Sequence, residues 1–323
     1  MTAGPRFLPL SQRLFPRRKH DSTGSKVLLV LTVIPVILLL AITLALVIKA
    51  LPLLKDHSLV SLLSGTEWKP MKGLFGFLPF ITSTIWVTLL ALVIAVPPSI
   101  LTAIYLAEYA GKTLRSVMKP ILDMLAAIPS VIYGVWGMVV IVPWVQNRVL
   151  PFVNRLPDGF GLLKTSNPTG FGILSGSIVL AVMVAPFIIA VTNEVLTAVP
   201  QGIRQASLAV GATRFQTIYR VLVPSTLPGI FASVVLGFSR ALGETMAVLM
   251  VVGNVVQMPS SILDAAYPLP ALIANNYGEM MSIPQYDSAL MGAALLLLTM
   301  VLILNIVSTL ILRRLMGRVR RAW

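Results

Sequence analysis

The chain contains no cysteine. That absence removes disulfides, thiolate metal sites and cysteine nucleophiles together. Histidine is almost missing: His20 and His57 stand far apart in polar flanks, too sparse for an imidazole metal site. Charge is scarce, at 11% of residues, where a soluble domain carries about 25%. Acidic charge is scarcest, with 11 Asp+Glu against 25 Lys+Arg and a formal net charge of +14. The sequence offers no Ser-His-Asp set, paired carboxylates or metal-ligand cluster. It therefore holds no candidate catalytic residues, and neither metal nor cofactor is expected on this chain.

What is present is apolar. Hydrophobic residues make up 57% of the 323 and mean hydropathy is +0.90. Disorder is excluded by that content, and an ordinary soluble enzyme by the missing surface charge. A nucleic-acid binder would account for +14 but not for the hydropathy. A polytopic membrane protein accounts for both, if its basic residues sort to one side.

A hydrocarbon core of about 30 Å takes roughly 20 apolar residues of helix. Six stretches qualify, at about 26–50, 79–105, 121–145, 172–191, 229–253 and 288–312. The predicted fold is thus an all-α polytopic membrane protein with six transmembrane helices. The second, third and fifth stretches carry Pro, Gly or charge, with Asp123 and Pro129 inside the third. These three are expected to face protein or a pathway rather than lipid. The first is a plain run of Val, Leu and Ile, expected at the periphery. It is too long for a signal h-region of about 7–15 residues, and no small-x-small site ends it, so it reads as a retained anchor. The chain then divides into a basic tail (1–25), this anchor (26–50), an outer loop (51–78), a core (79–314) and a basic C-terminus (315–323).

Basic residues fix the expected orientation. Arg6, Arg13, Arg17, Arg18, Lys19 and Lys26 precede the first stretch, and Lys112, Arg115 and Lys119 follow the second. Arg204, Arg214 and Arg220 follow the fourth, and Arg313, Arg314, Arg318, Arg320 and Arg321 follow the sixth. The other side holds Lys49, Lys55, Lys69, Lys72, Arg148, Arg155 and Lys164. The heavier side is cytoplasmic, which places both termini there. Residues 255–287 contain no Lys or Arg at all, as suits an outer face. Arg240 alone is left inside a stretch.

Some patterns mislead. Gly111-Lys112-Thr113 ends like a Walker A loop, but Leu106 stands where the first Gly belongs. Gly172 and Gly176 form a GxxxG in the fourth stretch, a mark of close helix packing that 22 glycines could also produce by chance. The 14 methionines read as core filler.

The loop at 199–229 is long and amphipathic. Ile203, Ala206, Leu208 and Val210 lead to Gly211, a residue suited to breaking a helix. Phe215, Ile218, Tyr219 and Leu222 follow at helical spacing and end at Pro224. The spacing predicts two helices at the cytoplasmic face. They serve either as an interfacial pair on the bilayer or as a docking element for a soluble partner. Gln205-Ala206-Ser207-x3-Gly211-Ala212, followed by Leu222-Val223-Pro224, resembles the EAA loop of ABC-importer permeases. Gln205 stands where that loop has Glu, and Val223 where it has Leu. In that family the loop sits in a cleft of the ATPase subunit and transmits its closure.

The fifth stretch carries Arg240 and Glu244. Counted from Gly229, Arg240 falls roughly 16 Å along a helix, near the bilayer centre, with Glu244 one turn on and on the same face. Such charges cost about 2.5–3.5 kcal/mol each to insert. The pair reads either as a structural ion pair or as part of a polar pathway. A guanidinium suits an oxyanion, a carboxylate beside it would offset its charge, and Thr245 adds a hydroxyl. The run from Arg240 to Ala247 is similar to permeases of phosphate-specific ABC importers, and Met246-Ala247-Val248 with Gly253-Asn254 to their C-type subunits. Residues 127–134, which include Ser130, and Ala107-Glu108-Tyr109-Ala110 are similar to the same family.

The resemblance implies the type I permease fold of ABC importers, in the bacterial plasma (inner) membrane. It implies import of inorganic phosphate along a pathway that includes Arg240, Glu244, Thr245 and Ser130. Gln205, Ala206, Gly211, Ala212 and Pro224 would form the coupling loop to an ATPase subunit dimer, where ATP and magnesium reside. A homologous A-type permease and an extracytoplasmic phosphate-binding protein would complete the assembly. The chain itself would be non-catalytic, in contact with membrane lipid and with no nucleic acid. A stand-alone anion channel or secondary transporter, or a permease for phosphonate or sulfate, are the alternatives. A channel needs no docking loop, and a secondary transporter is expected to show inverted repeats, of which none is evident.

Overall fold

In hydrocarbon every backbone N–H and C=O must find a partner within the protein, and the apolar runs meet that demand as helix. A computed structural model describes residues 21–155, 165–278 and 284–322, with side chains for 24–155, 165–278 and 284–314. The basic residues Arg6 to Lys19, His20, Lys164 and the side chains of Arg318, Arg320 and Arg321 lie outside the described residues.

In chain order, α1 (Asp21–Asp56) is followed by the short α2 (Leu59–Ser64). A hairpin of β1 (Trp68–Lys69) and β2 (Leu74–Phe75) comes next, pairing Trp68 with Phe75. Then come α3 (Leu78–Tyr109), α4 (Lys112–Ala127), α5 (Ser130–Val153), α6 (Ile173–Thr197) and α7 (Gln201–Ala209). The chain ends with α8 (Arg214–Leu242), α9 (Met246–Leu249), α10 (Leu269–Asn276) and α11 (Pro284–Ala322). Six of these, α1, α3, α5, α6, α8 and α11, are long and apolar enough to cross a membrane.

Contacts divide the chain into two units, Met1–Ile48 and Lys49–Trp323. In the first, α1 exposes its apolar side chains all round, Leu28 and Leu40 among them. A helix apolar on every side belongs in lipid or in a core.

The second unit is built along α6. Of its apolar window 61% is buried, against 33% for α3 and 28% each for α5 and α8. Pro, Gly and charge point α3, α5 and α8 toward protein or a pathway rather than lipid, and α6 is more buried than any of them. Its small and hydroxylated residues let neighbours approach closely and keep their own donors satisfied. Ser177 donates to the Val87 carbonyl at 3.0 Å and to the Ile173 carbonyl at 2.7 Å. Thr192 and Ser233 share a buried hydrogen bond of 2.7 Å. A Cβ on Gly237 of α8 would lie 2.8 Å from Ile188 of α6. Of the GxxxG pair, Gly172 is the tight position, since a Cβ there would meet the carbonyl oxygens of Leu263 and Asp264 at 2.7 Å.

Two spans start elsewhere than the sequence reading has them, each near a proline. Residues 121–145 are not one span: α4 ends at Ala127 and α5 begins at Ser130. Pro129 forces Ile128 into extended backbone, with ψ 130°, so Asp123 sits on α4 and outside α5. Pro224 acts in the opposite way. A wide turn over Ile218–Leu222 lets the Val223 N–H reach the Ile218 carbonyl. The missing proline donor is absorbed there, and α8 runs unbroken from Arg214 to Leu242. The fifth span therefore begins about four turns earlier than Gly229 and ends at Leu242, well short of Gly253.

Residues 243–268 fold back as irregular chain around α9, buried in part and exposed over residues 255–258. Val251, Val252 and Ala266 are fully buried. Their neighbourhood holds because its donors are matched: Ala266 N–H to the Val252 carbonyl, and Leu269 N–H to the Thr84 hydroxyl at 2.9 Å. Non-helical backbone is tolerated within a membrane protein under that condition. An aromatic cluster closes this end of the bundle, with Trp68 edge-on to Phe80 at 5.1 Å between ring centroids.

Candidate functional site

Arg240 occupies the last turn of α8, held by the buried Ala241 and Leu242 that follow it. Its guanidinium is exposed. It lies 5.6 Å from the Phe187 ring centre, and Nη2 donates to the Ala126 carbonyl at 3.3 Å. Ala126 belongs to the last turn of α4, whose terminal carbonyls lack partners within the helix. The neighbouring Leu125 carbonyl accepts from the Tyr133 hydroxyl at 2.9 Å. Arg240 thus stands where the C-terminal ends of α4 and α8 meet, and each end favours a cation by about 0.3–1 kcal/mol at an exposed site.

Glu244 is not its partner. The pairing expected at i,i+4 requires continuous helix, but α8 stops at Leu242 and Gly243 turns the chain with φ −90° and ψ 0°. Glu244 instead caps α9: its Oε1 accepts from the Thr245 N–H at 3.1 Å and the Ala247 N–H at 3.4 Å. Thr245 donates its hydroxyl to the Gly243 carbonyl at 3.2 Å. Among the described residues no ion pair engages Arg240. Its position at a helix end also replaces the mid-helix placement inferred from residue counting.

Ser130 opens α5 close by and is half-buried, and its hydroxyl makes no hydrogen bond among the described residues. α5 and α9 pack together through Gly134, where a Cβ would lie 3.2 Å from the Ala247 Cα. The structure therefore gathers Arg240, Glu244, Thr245 and Ser130 around the junction of α4, α5, α8 and α9. The group can present an unneutralised, bidentate oxyanion donor. Among the described residues no His/Asp/Glu cluster could hold a metal ion.

The second cluster lies at the α7 end of the bundle. Gln205 and Ala206 are exposed on α7. Gly211 ends the helix as predicted, with φ +87° and open space around a Cβ, so the requirement is backbone conformation and not room. The Ala212 N–H returns to the Ser207 carbonyl at 3.3 Å. Thr213 and Gln216 form a reciprocal capping box that starts α8. Pro224 lies inside α8, one helical stretch away from the exposed turn.

Residue patterns alone left one feature of this end unread. Arg204, counted only as a topology charge, pairs with Glu108 at the end of α3. Nη2 and Nε reach Glu108 Oε1 at 2.8 and 3.1 Å, and side-chain exposures are 12% and 9%. Arg204 also donates to the Leu196 carbonyl at 2.8 Å and to the Val199 carbonyl. Glu108 is the sole acidic residue between Glu67 and Asp123, and that isolation beside an apolar span was the available signal. A cavity of about 470 Å³ opens beside the pair, lined in part by Gln201, Gln205, Lys112 and Arg214.

At the opposite end of α6, Asp264 gathers the loops. Burial pushes its carboxyl upward, but donors from Thr165 (2.6 Å), Ser260 and Ser261 outweigh that and hold it below the usual carboxylate range.

Six helices of membrane-spanning length define a polytopic membrane protein. The chain belongs to the binding-protein-dependent transport system inner membrane component family, whose profile matches residues 99–321. It is a multi-pass inner membrane protein, and the family implies an ATPase and a binding protein as partners. The phosphate transport system permease protein PstC of Xylella fastidiosa (strain 9a5c) is 40% identical over 261 residues, 80% of this chain and 78% of that one. The protein of the same name in Haemophilus influenzae is 36% identical over 306 residues, 93% and 96% of the two chains. The probable ABC transporter permease protein YqgH of Bacillus subtilis is 34% identical, with 91% and 92% covered. Two solved structures share the fold. A bacterial ABC transporter involved in import of the acidic polysaccharide alginate gives a TM-score of 0.56 at 19% identity, covering 91% of this chain and 98% of that one. The MetNI methionine ABC transporter, facing inward, gives 0.55 at 22% identity, covering 77% and 99%.

Proposed function

We propose that this chain is the permease subunit of an ATP-driven importer of inorganic phosphate and forms half of the translocation pathway. The observation that carries the reading is Arg240: an exposed guanidinium with no carboxylate partner among the described residues, seated between two helix ends in a membrane protein. An arginine stays protonated throughout the physiological range and matches the geometry of phosphate oxygens. The names of relatives at 36–40% identity support phosphate over other oxyanions. In this reading Arg240 receives the anion, Thr245 and Ser130 offer hydroxyls, and Glu244 shapes the α8–α9 turn.

Gln205, Ala206, Gly211 and Ala212 present α7 to the ATPase, and Pro224 shapes the root of α8. ATP and magnesium belong to that partner, and this chain performs no chemistry. A homologous A-type permease supplies the other half of the pathway. A phosphate-binding protein delivers the anion at the Asp264 end, and both termini are cytoplasmic. A stand-alone channel or secondary transporter has no use for an exposed helix braced like α7.

Reconstitution tests this. Vesicles holding this chain with its ATPase, partner permease and binding protein should accumulate phosphate only with ATP. Vesicles holding this chain alone should conduct none; phosphate flux through them would favour a channel.

A further inference from the structure

The Glu108–Arg204 pair belongs neither to the anion site nor to the exposed face of α7. Both side chains are withdrawn from water, and a buried ion pair returns its desolvation cost only with good geometry and further hydrogen bonds. This pair has both. One guanidinium engages the Glu108 carboxylate of α3 and the Leu196 and Val199 carbonyls at the end of α6, while its own backbone is α7. The covalent route from α6 to α7 is only residues 198–200. The one other side-chain hydrogen bond from α7 joins Ser207 to Thr217 of α8 at 2.9 Å, among the described residues.

A second arginine continues the connection. Arg115 of α4 donates to the Leu106 carbonyl at 3.0 Å and to the Ala107 carbonyl, beside Glu108. α4 then runs 16 residues as one helix and ends at the Ala126 carbonyl that receives Arg240. From Arg115 to Ala126 is about 16 Å of helix at 1.5 Å per residue, continuous through Pro120. An unbroken series of charge-assisted hydrogen bonds and helix therefore joins α7 to Arg240.

We propose that Glu108 and Arg204 form a clamp that makes α7 and the end of α3 move as one body. Through Arg115 and α4, the clamp carries displacement of α7 to Arg240. The inference rests on the importer reading, in which α7 is the element that an ATPase moves. Glu108 and Arg204 are positioning residues: neither touches phosphate or nucleotide.

The test uses the complete importer in vesicles, comparing wild type with Glu108→Gln and Glu108→Asp at equal amounts of assembled complex. Glu108→Gln keeps the shape and removes the charge. It should leave ATP hydrolysis running while phosphate moved per ATP falls about tenfold, the effect of losing about 1.4 kcal/mol of coupling. Glu108→Asp restores the charge and should recover much of that ratio. If Glu108→Gln does not assemble, Arg204→Lys, which keeps charge but loses the fork, should give an intermediate ratio. A wild-type ratio in the assembled Gln or Lys variant overturns the clamp. So does a loss of assembled complex with an unchanged ratio, which marks a purely structural pair. Wild-type complex that hydrolyses ATP without moving phosphate overturns the importer reading itself, whatever the variants do.

Discussion

Arg240 was visible in the sequence as the one basic residue left over once the others were sorted to the two faces. The i,i+4 spacing points to Glu244 as its partner, but that geometry holds only while helix continues, and α8 ends two residues after Arg240. The distinction has a measurable consequence. Glu244→Ala removes a cap from the two N–H groups at the start of α9. It should cost about 0.5–2 kcal/mol of local stability and lower the melting temperature of the purified protein. Phosphate uptake should be reduced but not abolished; complete loss with unchanged melting would return Glu244 to the role of charge partner.

Asp264, outside the spans, contributes a pH-dependent part of the stability. Its folded pKa lies below the unfolded value. The stability it adds is therefore present above the ordinary carboxyl range, near pH 3.9, and is lost as pH falls through the lower folded value. Asp264→Asn should lower the melting temperature at pH 7 and flatten its decline in acid. Equal acid sensitivity in mutant and wild type would contradict this.

Among the elements, the apolar runs announced all six spans, but not where they begin and end. Pro129 and Pro224 explain the difference. Both are prolines in apolar sequence, yet one separates α4 from α5 and the other is absorbed by a wide turn at the root of α8. Sequence pattern cannot distinguish these outcomes, since they depend on what packs around the turn. Gly211 was legible because a left-handed turn has a residue preference of its own. Gly211→Val places a β-branched residue at φ +87°, at a cost of about 1–3 kcal/mol. It should misdirect α7 and raise ATP consumed per phosphate imported. A variant that keeps both rates at wild type would contradict the importance of that turn.

For the whole molecule, hydropathy identifies a membrane protein, but it does not show that α6 is the most buried of the described spans. Burial follows small and hydroxylated residues that permit close approach, and α6 carries them. The same logic makes Gly237 a packing position: Gly237→Leu would drive a side chain into Val184 and Ile188. Overpacking of this kind costs about 1–3 kcal/mol or more. The variant should yield less folded protein by size-exclusion chromatography, whereas Gly202→Ala on open surface should not. The partners within the Asp264 network at one end of α6 and the Glu108–Arg204 pair at the other are not legible in the sequence, although the isolation of Glu108 is. Each unites residues at least 96 positions apart in pairs such as Thr165–Asp264 and Arg204–Glu108.

The central claim is that a single unpaired guanidinium at the α4–α8 junction receives the transported anion. Phosphate uptake into vesicles bearing the complete importer, with Arg240→Gln against wild type, measures it most directly. The account predicts assembled complex in normal amount with uptake lowered at least about a hundredfold, comparable to removal of a preorganised oxyanion donor. Uptake at the wild-type rate by the assembled Gln variant would contradict it.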